Sequence, residues 1–328
     1  PSCYGRGGSS ATVTDANLVL GYLNPSYFAG GTIPVSRDLA EQSLAALARQ
    51  AGLDAERIAW GLYEVVNENM ANAARVHIAE HGRDPRAYSL FATGGGGPLH
   101  AFYVARKLGL KRLVIPPSAG VASALGLLIA PARVDRVATV ARDLASLDWP
   151  QFEAIYDSMT RDAVSVLEQT GLDARRGSIV RSADIRYRGQ AFELVVRLPP
   201  GPYNEQNRET LLEAFRSSYI KAFTRTPPAT DVEIINARIA ASVDLRDRWS
   251  GLSAEAGKRR TPLKGERAAY FPEAGALIPA PVYDRRFLEP GRLHEGPAIV
   301  EEAASTLIVG PRGTFSLAEN GNIIVDIP

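Results

Sequence analysis

"SLFATGGGGPLHAFYVARKLG", residues 89–109, sets four consecutive glycines between a short apolar run and an amphipathic segment. "AYSLFAT" has the length and composition of a buried strand, Pro98 suits the first turn of a helix, "LHAFYVARKLG" carries one apolar face and stops at Gly109, and "KRLVIPP" reads as the next strand. Strand, glycine loop, helix, strand is an α/β unit. It aims a helix N-terminus, with its free N–H groups and positive dipole end, at whatever lies above the strand. Gly94, Gly95, Gly96 and Gly97 permit positive φ angles and let a ligand lie against bare main chain. This is not a P-loop, because no Lys-Ser or Lys-Thr follows, and Leu99 stands where a dinucleotide fingerprint wants a small residue. On pattern alone two readings stand, a nucleotide or anion cradle and a tight structural turn. His100, in the first helical turn, reads as a packed histidine or as a ligand contact.

Around this unit the first 135 residues are rich in helix signals. Asp15 is an N-cap for a short helix starting at Ala16, or alternatively a metal or phosphate-water contact. Ser36 caps a helix that ends at Gly52, and Asp54 opens another that runs to Gly82, on the order of 40 Å long. The apolar stripe of that long helix reads Ile58, Leu62, Val65, Asn69, Ala73 and Val76, so Asn69 falls where an apolar side chain is expected and either finds partners inside or faces a cleft. Glu68, Asn72 and Arg75 form a second polar line, either a surface salt-bridge ladder or a face presented to a site between domains.

Composition narrows the function classes. The 328 residues carry 37 Lys plus Arg against 36 Asp plus Glu, so nothing in the charge points to nucleic acid or an anionic membrane as the main partner. No apolar run approaches the roughly 20 residues of a membrane span, and the start lacks the basic and apolar regions of a signal peptide. A cytoplasmic protein is expected. The single cysteine, Cys3, excludes an internal disulfide and a Cys-based zinc site, and reads as chemically idle. The chain opens without Met, directly into the Gly-rich "PSCYGRGGSSATVTD", which reads as part of a longer polypeptide.

From about residue 136 the texture changes to an α+β pattern. A strand, "RVATVARDL", leads to a helix over roughly 150–170; "SADIRYRGQAFELVVRL" alternates on either side of a Gly189-Gln190 turn, as a hairpin with one buried face does; a helix over about 205–223 and the strand "DVEIINARIAASVDL" follow. Arg186, Arg188 and Gln190 cluster near the hairpin tip, as solvated edge charges or as an anion site. Residues 250–266 read as an exposed linker. The segment 267–328 is all short strands and turns, with Asn320-Gly321 the strongest hairpin signal. The expected organisation is therefore 1–135, 136–266, and a β-rich segment 267–328 packing on the domain before it.

Several phrases taken together resemble the hydantoinase A and 5-oxoprolinase family, which includes acetone and acetophenone carboxylase subunits: "CYGRGGSSATVTDANLVLGYLNPSYFAGG", "VVNENMANAARVHI", "DPRAYSLFATGGGGPLHAFYVARKLGL", "VIPPSAGVASALGLL", "IRYRGQAFEL" and "GPAIVEEAASTLIVGP", in order along nearly the whole chain. The resemblance implies part of an actin-like (ribonuclease H-like) ATPase domain followed by an α+β C-terminal domain. It also implies use of ATP and Mg2+ to activate the oxygen of a small cyclic amide or ketone, usually with a hydantoinase B-type subunit. Gly94 to Gly97 match the adenosine-contacting turn of that fold. Asp15, Asn69, Glu68 and His100 become candidates for lining its cleft, and Arg188 with Gln190 for touching substrate or a neighbouring subunit. An Ala is commoner in the family at the position of Gly96. The phosphate and Mg2+ motifs of the family lie N-terminal to "CYGRGG", and no Asp-x-Gly-Gly-Thr run occurs here. The resemblance thus implies the C-terminal half of a subunit, inactive in phosphoryl transfer without an N-terminal half. A ketone carboxylase subunit and a non-catalytic assembly module are the alternatives.

Overall fold

A computed structural model describes residues 1–223, 231–245 and 261–328. In chain order its main elements are α1 (Val13–Val19), α2 (Arg37–Ala51), α3 (Ala55–Glu80), β1 (Leu90–Phe91), α4 (Gly97–Lys107), β2 (Arg112–Ile115), α5 (Ala122–Ile129), β3 (Ala132–Asp143), α6 (Trp149–Gln169), β4 (Ser178–Tyr187), β5 (Leu194–Arg197), α7 (Arg208–Phe223), β6 (Val232–Val243), β7 (Leu263–Phe271), β8 (Ala276–Asp284), β9 (Leu293–Glu295), β10 (Ala298–Glu302), β11 (Ser305–Val309), β12 (Thr314–Leu317) and β13 (Ile323–Asp326). They form a mixed α/β structure with three sheets. The chain divides into two compact units, residues 1–126 with 253–328, and residues 127–252. The linker expected over 250–266 lies, up to residue 260, outside the described residues. No helix among the described residues is long and apolar enough to cross a membrane.

In the first unit the caps are where the side chains demand them. Ser36 Oγ accepts from Leu39 N, Asp54 Oδ1 accepts from Arg57 N, and Gly52 closes α2 at φ +65°. The crossover β1–α4–β2 forms as the pattern requires, with β1 parallel to β2. β1 is however only two residues long and lies at the edge of its sheet, so Phe91 is exposed instead of buried. The order of that sheet is β1-β2-β13-β12-β9, and a second sheet runs β11-β10-β8-β7.

This corrects the expected place of the tail. Instead of packing on the preceding domain, residues 267–328 supply most strands of both sheets of the first unit, with β13 antiparallel to β2 through Ile323↔Ile115 and Val325↔Leu113. The physical reason is the apolar alternation on both strands: pairing them buries Leu113, Ile115, Ile323 and Val325 on one face. The end of α1 is locked to β7 as well. Tyr22 Oη donates to Tyr270 O at 2.7 Å, and a Cβ on Gly21 would lie 2.1 Å from Ala268 O.

The second unit is a four-stranded antiparallel sheet, β3-β6-β4-β5, with α6 and α7 packed against it. Phe152, Tyr156, Phe215, Ala183, Ile185 and Ile239 meet in its core. Leu211 is the buried residue at the start of α7, and Phe192 in the hairpin is exposed.

Candidate functional site

Four glycines in a row need four separate reasons. Gly94 has a conformational one, φ +88°, with its N–H donating to Ala119 O at 2.7 Å. Gly95, Gly96 and Gly97 have no positive φ. A Cβ on Gly95 would make ordinary contact with Ala304 O at 3.4 Å, and a Cβ on Gly96 or Gly97 would meet nothing within 4 Å. Gly96 is the N-cap of α4 and Gly97 its first residue, and an N-cap tolerates glycine better than alanine but favours Ser, Asn or Asp. Neither backbone strain nor internal packing asks for glycine there. What the bare backbone borders is a cavity of about 430 Å3, within the size range of ligand pockets.

The cavity is assembled from four parts of the first unit, one of them the loop after α1 with Asn24, Tyr27 and Phe28. Gly95, Gly96 and His100 come from the loop and α4, Asn17 from α1, and residues 301–306 from the β10–β11 turn. That turn is held on the glycine side by close backbone approach, since a Cβ on Gly120 would lie 2.1 Å from Ala304 O. Ser118 N donates to Glu302 Oε1 at 2.8 Å, and Ser305 Oγ to Glu302 Oε2 at 2.9 Å. Beside it Glu301 is buried, and its carboxylate is neutralised by Lys264 and Arg267. The Lys264 ammonium also lies 3.8 Å from the centroid of the Tyr27 ring.

His100 is a buried titratable group on the cavity wall. Its Nδ1 lies 2.7 Å from Asn67 Oδ1, and Tyr63 stacks on the ring at 4.6 Å between centroids. Tyr63 Oη in turn donates to Leu99 O, tying α3 to the first turn of α4. Burial pushes the His100 imidazolium down to a pKa of about 4, so the ring is neutral at physiological pH. Two buried amide atoms in this region, Asn17 Oδ1 and Asn67 Nδ2, have no hydrogen-bond partner among the described residues. A buried unpaired polar atom costs on the order of 1–3 kcal/mol; of the two, only Asn17 lines the cavity, where a bound group can recover that cost.

The other predicted residues are placed differently. Asp15 is fully buried, but its carboxylate is occupied by Ser2 N, Cys3 N, Thr12 N and Thr12 Oγ1, at 2.7–3.2 Å. It closes the N-terminal loop onto α1 in a capping box. Cys3 sits under it, and burial together with the Asp15 carboxylate pushes its thiol up to about 12.

The buried line of α3 is Ala59, Tyr63, Asn67 and Ala71, so the inward amide is Asn67 and Asn69 is exposed. Glu68 is also exposed, bonded to Arg75 at 2.8 Å and Lys107 at 3.0 Å. In the second unit Arg188 pairs with Asp143, Asp231 and Glu233, while Gln190 Nε2 donates to Tyr219 Oη at 3.2 Å. Asn17, Asn67 and the 301–306 turn were missed; an Asn inside an otherwise apolar "ANLVLGYL" was the available signal for the first. No group of three or more His, Cys, Asp or Glu side chains placed to hold a metal occurs among the described residues.

Bare backbone at a helix N-terminus, bordering a pocket with a buried unpaired amide, makes this the candidate ligand site of an α/β unit. The chain belongs to the hydantoinase/oxoprolinase family: residues 1–136 match the model of hydantoinase/oxoprolinase and residues 143–323 that of the hydantoinase/oxoprolinase C-terminal domain. It is 32% identical over 99% of its length to an uncharacterized protein of Methanocaldococcus jannaschii, and 30% identical over 97% of its length to the caprolactamase subunit alpha of Pseudomonas jessenii, covering 46% of each. The crystal structure of the ATP-dependent caprolactamase from Pseudomonas jessenii superposes with a TM-score of 0.77 at 29% identity, over 99% of this chain and 48% of that one. A nucleotide-free acetone carboxylase structure, at 23% identity and a TM-score of 0.78 over 99% of this chain and 48% of that one, shares the fold. The chain thus spans about half the length of the relatives it matches.

Proposed function

We propose that this chain is the nucleotide-binding C-terminal portion of an ATP-dependent cyclic amide hydrolase of the hydantoinase and 5-oxoprolinase type. In this reading its first unit is part of an actin-like ATPase domain. It works with an N-terminal portion that holds Mg2+ and the phosphates, and with a hydantoinase B-type subunit. The observation that carries the reading is the pair Gly95 and Gly96, without positive φ or a tight internal contact, on the wall of a cavity of about 430 Å3. The residues present fit such a ligand. Base and ribose would lie against the backbone of Gly95 and Gly96, with the free N–H groups and positive end of α4 beneath them and Asn17 and His100 on the facing walls. ATP, when bound, supplies the phosphoryl group that activates the amide oxygen for attack by water. This chain's residues bind and orient the nucleoside and exclude water from it; positioning of the phosphates falls to residues outside these 328, since no Asp-x-Gly-Gly-Thr run is present. The likeness to a caprolactamase subunit supports hydrolysis as the reaction.

Calorimetric titration with ATP and Mg2+, with the N-terminal portion added, tests the reading. Gly96→Val should weaken binding at least tenfold while leaving the thermal midpoint in place; no binding to the native protein, or unchanged binding in the variant, refutes the assignment. A carboxylase reading is favoured by the shared fold with acetone carboxylase. Bicarbonate-dependent ketone consumption in place of lactam hydrolysis would decide for it.

A further inference from the structure

We propose that His100 makes the glycine-loop cavity selective for a 6-aminopurine over a 6-oxopurine, acting as a hydrogen-bond acceptor of fixed sense, with the Asn17 amide as its companion and Asn67 as the residue that fixes it. This deepens, and rests on, the nucleotide reading above. A carbonyl oxygen only accepts, so the 2.7 Å contact with Asn67 Oδ1 puts the single proton of the neutral ring on Nδ1 and leaves the lone pair on Nε2. Tyr63 covers one face of the ring, Asn67 covers Nδ1, and the ring lines the cavity. Nε2 has no partner among the described residues and is not among the sealed polar atoms, so it is the polar edge left for a ligand.

Asn17 lines the same cavity and is 3% exposed; its Oδ1 is sealed without a hydrogen-bond partner among the described residues, so the amide reaches a ligand by turning toward the cavity. An amide can turn over and offer donor and acceptor in either order. The imidazole cannot, because Asn67 holds its proton on the far side. Adenine presents an amino donor at position 6 beside a ring-nitrogen acceptor, whereas a 6-oxopurine presents a carbonyl there and would set lone pair against lone pair. Discrimination therefore falls on His100, and Asn17 follows whichever base edge is bound.

Adenosine and inosine differ only at position 6 and in the proton that the 6-oxo form carries on N1, and both test the cavity without its phosphate site. Chemical-shift titration of the 328-residue chain should show adenosine bound at least about tenfold more tightly than inosine. In His100→Gln, where a turning amide replaces the pinned ring, the two should come within about threefold. Asn67→Leu, which frees the ring to carry its proton on either nitrogen, should narrow the ratio as well. Equal affinities in the native chain overturn the selectivity while leaving the glycine-loop reading intact. Binding of neither nucleoside overturns both. Full selectivity retained in a folded His100→Gln chain removes the role from His100.

Discussion

Asp15→Asn replaces a buried carboxylate by its isostere in the place where the N-terminal loop is tied to α1. Cys3 N donates to Oδ1 at 2.7 Å, while Ser2 N, Thr12 N and Thr12 Oγ1 donate to Oδ2 at 3.2, 2.9 and 2.7 Å. An amide keeps one oxygen, so its better orientation serves the three donors and turns its NH2 toward Cys3 N–H, stranding that donor. A stranded buried donor costs about 1–3 kcal/mol, and the remaining bonds weaken as they lose their charge; together these come to about 3 kcal/mol. For a folding unit of this size each kcal/mol moves the midpoint by about 2–4 °C, so the variant should melt roughly 9 °C lower at pH 7.

The pH dependence has a definite sign. Burial alone would raise the Asp15 carboxyl, but hydrogen bonds from Thr12, Cys3 and Ser2 outweigh it and hold the group below the ordinary carboxylate range. The stability it contributes is present above the unfolded value of about 4 and is lost as pH falls through the folded one. Scanning calorimetry at pH 7, 5 and 3 should therefore show the gap between native protein and variant shrink toward pH 3. A gap under about 2 °C at pH 7, or one that does not shrink on acidification, would refute the clamp.

Gly96→Ala should cost no more than about 1 kcal/mol of stability, because the residue faces open space at φ −94° and loses only the glycine preference of a helix N-cap, while nucleoside affinity falls. Calorimetry and titration on one preparation check both halves. Gly120→Ala drives a Cβ into Ala304 O and must displace the β10–β11 turn, costing about 1–3 kcal/mol in denaturant unfolding and weakening nucleoside binding at the same time. Glu301→Ala leaves Lys264 and Arg267 facing each other over a buried gap and should cost about 3–5 kcal/mol; replacing all three by apolar residues of similar volume should recover most of it.

Why some of this was legible from the chain and some was not is a matter of range. The β1–α4–β2 crossover and the caps at Ser36 and Asp54 are set by residues within a few positions of one another, and they form where local chemistry places them. The α3 face is harder, because two lines fit a helical period equally well: Ile58, Leu62, Val65, Asn69 and Ala59, Tyr63, Asn67, Ala71. Hydropathy favours the first, yet Val65 is 60% exposed and the second line is buried. Small residues on that line let other helices come close, and the space left takes Tyr63 and an Asn67–His100 pair, so volume and hydrogen bonding decide over hydropathy.

The tail is harder still. Alternation marks β13 as a strand with one apolar face, but its partner β2 lies about two hundred residues earlier, and nothing local names the edge it joins. β10 and β11, whose turn faces Gly95 and Gly120, lie in the other sheet of the same unit and come from the same tail, so one wall of the cavity is non-local by construction. Glycines in "TGGGGPLH" announce that something approaches the backbone; only the folded chain separates Gly120, whose neighbour is a protein carbonyl, from Gly96, whose neighbour is empty space.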